Sequence, residues 1–252
     1  MALSFRQGEI LEIARSEGRV VVEDLAARFS VTLQTIRRDL GEMAEAGLLD
    51  RVHGGAVVRA GVANTAWAER QRQNLEAKAA IAATCAALIP DNSSLILNIG
   101  TTTEAVARAL LGHRNLTVVT NNLNVANILA RNESCEVMVA GGALRRADGG
   151  LVGELTTLFF EQFKVDLAVI GISALDADGD LLDFDLAEVR VARTILRQAR
   201  RRLVVADASK LSRHAPVRLG SLSELDGIVT DQPLPEALAA ACQGWGTEVY
   251  LA

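Results

Sequence analysis

Cysteine is scarce in this 252-residue chain, and lysine is as scarce. Cys85, Cys135 and Cys242 stand far apart and are odd in number. That argues against a disulfide framework and suits buried, reduced thiols in a cytoplasmic protein. His53, His113 and His214 share no ligand spacing with the cysteines, so no metal site is expected. Only Lys78, Lys164 and Lys210 are lysines. With so much alanine, the excess of arginine reads as a nucleotide-composition bias, not as a function.

Long apolar runs are also missing. None approaches the roughly 20 residues that cross a bilayer. The opening MALSFRQGEILEIA has no apolar secretion core, so neither membrane nor export is expected. An excess of positive charge is absent too: the net charge is −5, and residues 1–60 hold eight arginines against nine acidic residues. Any DNA contact has to come from local charge and specific geometry. No segment reads G-x-x-x-x-G-K-[ST] and no strand ends in G-x-G-x-x-G, which disfavours nucleotides; no cofactor is expected.

Half of the residues are hydrophobic, and the length accommodates two domains. Residues 5–17 (FRQGEILEIARSE) predict an amphipathic helix with Ile10, Leu11, Ile13 and Ala14 on one face. RVVVEDLAARF begins extended and turns helical at Glu23 and Asp24, acids that suit a helix N-terminus. A third helix follows, capped by Thr32 or Ser30, with Ile36, Leu40 and Met43 inward. LLDRVHGGAVV predicts a hairpin around Gly54 and Gly55. Three helices and a hairpin form a winged helix-turn-helix, whose third helix enters the major groove N-terminal half first.

Thr32, Gln34, Thr35, Arg37 and Arg38 belong to that half. Gln reads adenine and Arg reads guanine through paired hydrogen bonds, whereas Thr35 and one arginine could instead hold phosphates. Arg51 and His53, in the wing, could reach the flanking backbone. A bare Arg-Arg pair is usually a solvated helix face, and only its place at the reading end of this helix argues otherwise. Glu42 and Glu45 fall further along, where a tilted helix leaves the groove.

Residues 61–74 read as a polar linker between a DNA-binding domain at 1–60 and an effector domain at 75–252. A helix is expected from Leu75 to Leu88. Seven strands then alternate with helices, at 94–98, 116–120, 136–140, 166–172, 202–207, 226–230 and 247–251. Several are continuous apolar runs, which suits a doubly wound, mostly parallel α/β sheet covered on both faces. Ligands of such sheets bind beyond the strand C-termini. Those ends read NIGTTTEAVA, TNNLN, AGGALRRADGGLVGE, GISALDADGDLLDFDLAEVR and DASKLSR. They supply Gly100, Thr101, Thr102 and Thr103 at a helix N-terminus, then Asn121, Asn122, Gly141, Gly142, Asp183 and Lys210. Glycines, hydroxyls, amides and one lysine suit a small phosphorylated polyol. Each threonine or glycine taken singly is as readily a turn or a cap.

TIRRDLGEMAEAGLLDRVHGGAV closely resembles the signature of the DeoR-type bacterial repressors. The strand-end segments resemble the sensor domain of that family, so the likeness spans nearly the whole chain. It implies an effector domain related in fold to sugar-phosphate isomerases and glucosamine-phosphate deaminases. It further implies operator DNA as partner, a homo-oligomer (dimer or tetramer), and a small phosphorylated effector, sn-glycerol 3-phosphate before other sugar phosphates, that relieves repression. One departure is Ala192 in EVRVARTI, where a basic residue is usual and could bear on ligand preference.

The alternative is a sugar-phosphate isomerase or deaminase, which needs a general base tuned by burial. GISALD places Ser173 and Ala174 where the isomerases carry acids. Asp176, Asp183, Asp185 and Glu188 remain, and each reads first as a solvated loop acid or a helix-dipole acid. Turnover is therefore not expected, and no residue is assigned a catalytic role.

Overall fold

The computed structural model describes residues 4–17, 19–46, 48–52, 54–58 and 67–252. The chain divides into two compact units, Met1–Ala63 and Asn64–Ala252.

The first unit runs α1 (Phe5–Glu17), β1 (Arg19–Val21), α2 (Val22–Phe29), α3 (Leu33–Glu45), β2 (Leu49–Val52) and β3 (Gly55–Val58). Its core joins Ile10, Leu11 and Ala14 of α1 to Leu25, Ile36, Leu40, Met43 and Leu49. Ile13 is only partly buried. Of the two possible caps for α3, Thr32 takes the role and accepts from the Thr35 N–H at 3.2 Å. Ser30 instead ends α2 in the left-handed region. The strands pair antiparallel in the order β1-β3-β2, so the extended start of RVVVEDL adds a third strand to the expected hairpin.

Gly55 makes that third strand possible. A Cβ there would lie 1.9 Å from the Val20 carbonyl oxygen. Gly55→Ala should push β1 off β3 and cost about 1–3 kcal/mol, as overpacking does. Urea unfolding followed by circular dichroism checks this; a variant as stable as the parent would show that the strands separate freely.

The second unit opens with α4 (Trp67–Arg72) and α5 (Leu75–Ala87). Residues 67–72 were expected in the linker, but they are helical. Next come β4 (Ser94–Leu97), α6 (Thr101–Ala109), β5 (Leu116–Thr120), α7 (Leu123–Leu129), β6 (Cys135–Val139), β7 (Ala143–Arg145) and β8 (Gly150–Val152). They are followed by α8 (Glu154–Phe160), β9 (Val165–Gly171), β10 (Ala174–Leu175), β11 (Asp180–Asp183), α9 (Leu186–Arg197) and β12 (Ala199–Val205). The unit closes with β13 (Val217–Ser221), β14 (Gly227–Thr230), α10 (Glu236–Trp245) and β15 (Glu248–Leu251).

Seven strands form one sheet in the order β15-β14-β12-β9-β4-β5-β6, and every neighbouring pair is parallel. All seven overlap the strands expected from sequence, with the largest difference at β12, which starts at Ala199 and not at 202. The pattern missed β7 and β8, an antiparallel pair, and the small antiparallel sheet β10-β11-β13. Ile96 faces a core with α8, α9 and α10, whereas Leu95 and Leu97 face one with α5, α6 and α7. The central strands β4 and β5 are covered on both faces, so they read as apolar runs.

Chain order runs outward from β4 to β5 and β6 on one side, and from β9 to β12, β14 and β15 on the other. The direction reverses between β4 and β9. Their C-terminal ends therefore flank the crevice where such sheets take ligands.

Candidate functional site

On α3, Gln34, Arg37 and Arg38 are exposed and Thr35 is half-exposed. Gln34, Arg37 and Arg38 follow the i, i+3, i+4 spacing that makes one stripe. Two of the helix's three acids, Asp39 and Glu42, are turned to other uses. Asp39 is buried and takes a 2.6 Å bond from Arg6 Nε, and Glu42 accepts from Gln7 Nε2 at 2.7 Å. Both contacts tie α1 to α3. Among the described residues Arg38 keeps only a loose pair, with Glu42 at 3.7 Å, and its side chain is 72% exposed. Thr32 is occupied as the cap, and its hydroxyl also meets that of Thr35 at 2.9 Å. Arg51 is exposed in the wing. His53 lies outside the described residues.

In the second unit, the side chain of Asn98, just past β4, accepts from the Gly171 N–H at 2.9 Å and staples β4 to β9. Gly100 then starts α6 with φ +154°, and a helix N-terminus at this crevice offers its first-turn N–H groups to an anion. The Thr103 hydroxyl is buried and donates to the carbonyls of Asn98 (3.0 Å) and Gly100 (2.8 Å). It shapes the turn. Thr102 is buried beside it, and Thr101 is partly exposed.

The asparagines are likewise structural in their contacts. Asn122 Oδ1 caps α7 at the Asn124 N–H, 2.9 Å away. Asn121 Nδ2 donates to the Leu151 carbonyl at 2.9 Å, while its Oδ1 is buried without a partner. Gly141 and Gly142 pack on α8: the Gly141 carbonyl accepts from Thr156, and a Cβ on Gly142 would lie 2.1 Å from Thr156 Oγ1. Gly150 of the same glycine-rich segment is the one against the crevice, since its Cβ would lie 2.3 Å from Ile99 Cδ1.

Asp183 is not a solvated loop acid, whereas Glu188 does lie in the first turn of α9, the helix-dipole alternative, but beside a charge network. Asp183 is buried, which raises its pKa despite hydrogen bonds from Phe184 N–H and Ser173. Glu188 is pushed up to about 7, by burial first and then by the charge of Asp183, with Arg145 opposing. Arg145 is the hub. It bonds Asp148 through Nε at 3.0 Å and Nη2 at 2.5 Å, Asp185 through Nη1 at 2.7 Å, and Glu188 through Nη2 at 2.6 Å. Asp185 N-caps α9 at the same time.

Arg145→Ala leaves three carboxylates without their shared cation. Breaking a largely buried charge network costs about 3–5 kcal/mol. The loss should be smaller at pH 6 than at pH 8. The Glu188 folded-state pKa lies above its ordinary 4.5, so the folded state already binds the extra proton, and stability from this group falls as pH rises from 4.5 toward about 7. Thermal melts at the two pH values test this. An equal loss at both would mean that Glu188 does not change its charge between them.

Cations gather around Lys210. Burial lowers the Lys210 pKa to about 8; Arg213, Arg70 and Lys78 push the same way and Asp207 opposes. Burial and Arg70 also lower that of Arg213. Asp207 is buried and its Oδ1 accepts from Asn74 Nδ2 at 2.9 Å. Burial works to raise its pKa, but Lys210, Ser209, Asn74 and Lys78 outweigh it and hold it low. Arg70 also acts on Asp183, so one side chain links both expected effector residues, Asp183 and Lys210. Three buried polar atoms here lack hydrogen-bond partners: Arg70 Nε, Glu104 Oε2 and Asp207 Oδ2. Asn98, Arg70, Asp207 and Arg213 escaped the sequence reading. The acid ending the apolar run RLVVAD could have flagged Asp207; Arg70 gave no signal in its polar stretch. Ala192 is not in this group but in the apolar core.

An arginine stripe on a capped helix of a small winged unit, in one chain with a charged strand-end crevice, defines a class: helix-turn-helix regulators that respond to a ligand. Residues 6–60 match the DeoR-like helix-turn-helix domain and residues 73–232 the DeoR C terminal sensor domain. The chain belongs to the DeoR family of transcriptional regulators. It is 48% identical over 230 residues to the glycerol-3-phosphate regulon repressor of Escherichia coli strain K12, covering 91% of each chain. It is 46% identical over 251 residues to the repressor of the same name from Haemophilus influenzae, covering 100% of this chain and 98% of that one. The transcriptional repressor CsqR of Escherichia coli is 39% identical over 246 residues, 98% of this chain and 94% of its own. These relatives are repressors, and this chain is a regulator, not an enzyme. No described helix is long and apolar enough to cross a membrane.

Proposed function

We propose that this chain represses glycerol-3-phosphate-utilising genes and that sn-glycerol 3-phosphate releases it from its operator. Gln34, Arg37, Arg38 and Thr35 read or grip the major groove, with Thr32 holding the helix start and Arg51 and His53 on the flanking backbone. Residues 1–60 form the DNA-binding domain and 75–252 the effector domain, and a cytoplasmic homo-oligomer of paired winged helices matches repeated half-sites.

The observation that carries the effector reading is the clustering of positive charge past the C-terminal end of β12, where Arg213 and Arg70 act on Lys210 and Arg70 acts on Arg213. Clustered cations favour a dianion, and the lowered pKa values of Lys210 and Arg213 record that clustering; the α6 N-terminus at Gly100–Thr103 adds donors of the same sign. Asp183 and Asn121 supply acceptors for hydroxyls. Asn122, Gly141 and Gly142 act by shaping the loops. A coupling of about 1–3 kcal/mol between effector and operator is the usual size.

Mobility shifts on an operator selected from random duplexes test this. Titrated sn-glycerol 3-phosphate should release the DNA and glycerol should not. Unchanged binding throughout would remove the effector assignment, and release by another sugar phosphate alone would replace it.

A further inference from the structure

Arg70 stands out because no described residue holds its guanidinium tightly. Its side chain is only 16% exposed, yet Nε is buried without a hydrogen-bond partner. The ion pair it makes is long: Nη2 to Asp148 Oδ2 is 3.9 Å, and that oxygen already takes Arg145 Nη2 at 2.5 Å. Its backbone, in contrast, is fixed, because buried Lys78 donates to the carbonyls of Arg70 and, at 2.7 Å, Gln73. A buried donor left unpaired costs free energy, so such a side chain is poised for an acceptor. The helix that carries it, α4, is the first described element of the sensor unit, on the chain leading from the DNA-binding unit. The other end of α4 touches the crevice as well: Trp67 Nε1 donates to Glu104 Oε1 at 3.1 Å, in the first turn of α6.

We propose that Arg70 grips the phosphate of the effector, a phosphate monoester, so that ligand occupancy is read by α4 itself and passed along the chain toward the winged unit. This rests on the effector reading above and extends it to a residue outside the strand-end loops. A guanidinium offers a phosphate two parallel N–H donors, and the bond pulls on a helix that Trp67 and Lys78 otherwise moor to the sensor. Effector binding thus shifts the balance of contacts along α4, the differential interaction that a ligand-driven change requires.

The experiment uses full-length protein on the selected operator, with sn-glycerol 3-phosphate as probe and Lys210→Ala as reference. Arg70→Ala should bind operator as the parent does, and half-release should need at least tenfold more effector. In a Trp245→Phe background, Trp67 is the remaining tryptophan. Its effector-dependent fluorescence change should vanish in Arg70→Ala. If Arg70→Ala does not fold, Arg70→Lys decides, since it keeps the charge but loses the paired donors; release should then be weakened several-fold. Parent-like release in Arg70→Ala or in the folded lysine variant, while Lys210→Ala is impaired, overturns the Arg70 proposal and leaves the effector site standing. A parent that no phosphate ester releases overturns both.

Discussion

Arg38→Ala should lower operator affinity by roughly 5- to 150-fold per half-site, the size of about 1–3 kcal/mol for one bidentate arginine–base contact. Effector affinity and thermal midpoint should stay near the parent's. The stability expectation follows from exposure: the Arg38 side chain reaches solvent and, among the described residues, keeps only a loose pair with Glu42, and exposed pairs contribute little. Arg6→Ala is the contrasting variant, because it strips the buried Asp39 of its 2.6 Å partner and should destabilise the α1–α3 junction. The pattern of loss also identifies the contact. If Arg38 reads a base, specificity relaxes at one position of the operator. If it holds a phosphate, affinity falls for all sequences and the salt dependence weakens by about one ion. Parent-like affinity with parent-like salt dependence would take Arg38 out of the interface.

The two arginines illustrate what a sequence can disclose. The exposed position of Arg37 and Arg38 on α3 was legible because a local code surrounds it: Thr32 capping, inward Ile36, Leu40 and Met43, and a glycine hairpin after the helix all follow from neighbours in the chain. The seven sheet strands were legible for a similar reason. Burial on both faces leaves a run of apolar residues, and Leu95, Ile96 and Leu97 record it directly. The short strands β7, β8, β10, β11 and β13 left no such mark, being two to five residues long and built from turn-rich segments. The crevice was half legible. Strand ends could be counted, but which loop reaches the switch point depends on packing. Gly150 and Gly142 look alike in AGGALRRADGGLVGE, and only their neighbours, Ile99 and Thr156, separate them. Arg70, Asp183, Lys210 and Asp207 come together across more than 130 residues, a meeting that no spacing rule encodes. The same distance explains why Asp183 read as a solvated loop acid: burial by a remote arginine network is invisible in a run of aspartates.

The second large effect concerns Lys210. Its ammonium should make a charge-assisted bond to the effector phosphate, of a kind that contributes about 1.5–3 kcal/mol. Lys210→Ala should therefore raise the effector concentration for release by roughly 10- to 150-fold while operator binding persists. The pH dependence follows with a definite sign. In the free protein Lys210 titrates at about 8, well below its ordinary 10.5, because burial and neighbouring cations disfavour the charge. Below about 8 it is charged, and affinity there is set by the phosphate, whose second ionisation lies near pH 6. Above about 8 binding must also take up a proton, so affinity should fall up to tenfold per pH unit. Stability shows the converse. Between about 8 and 10.5 the unfolded chain binds more protons at this lysine than the folded one, so its contribution to the free protein's stability rises with pH. Saturating effector keeps this lysine charged in the folded state and should flatten that slope. Thermal midpoints across pH 7 to 10, with and without sn-glycerol 3-phosphate, read both trends at once. In Lys210→Ala both alkaline trends should disappear; an alkaline limb that survives the substitution would assign the titration to another group and remove Lys210 from the phosphate site.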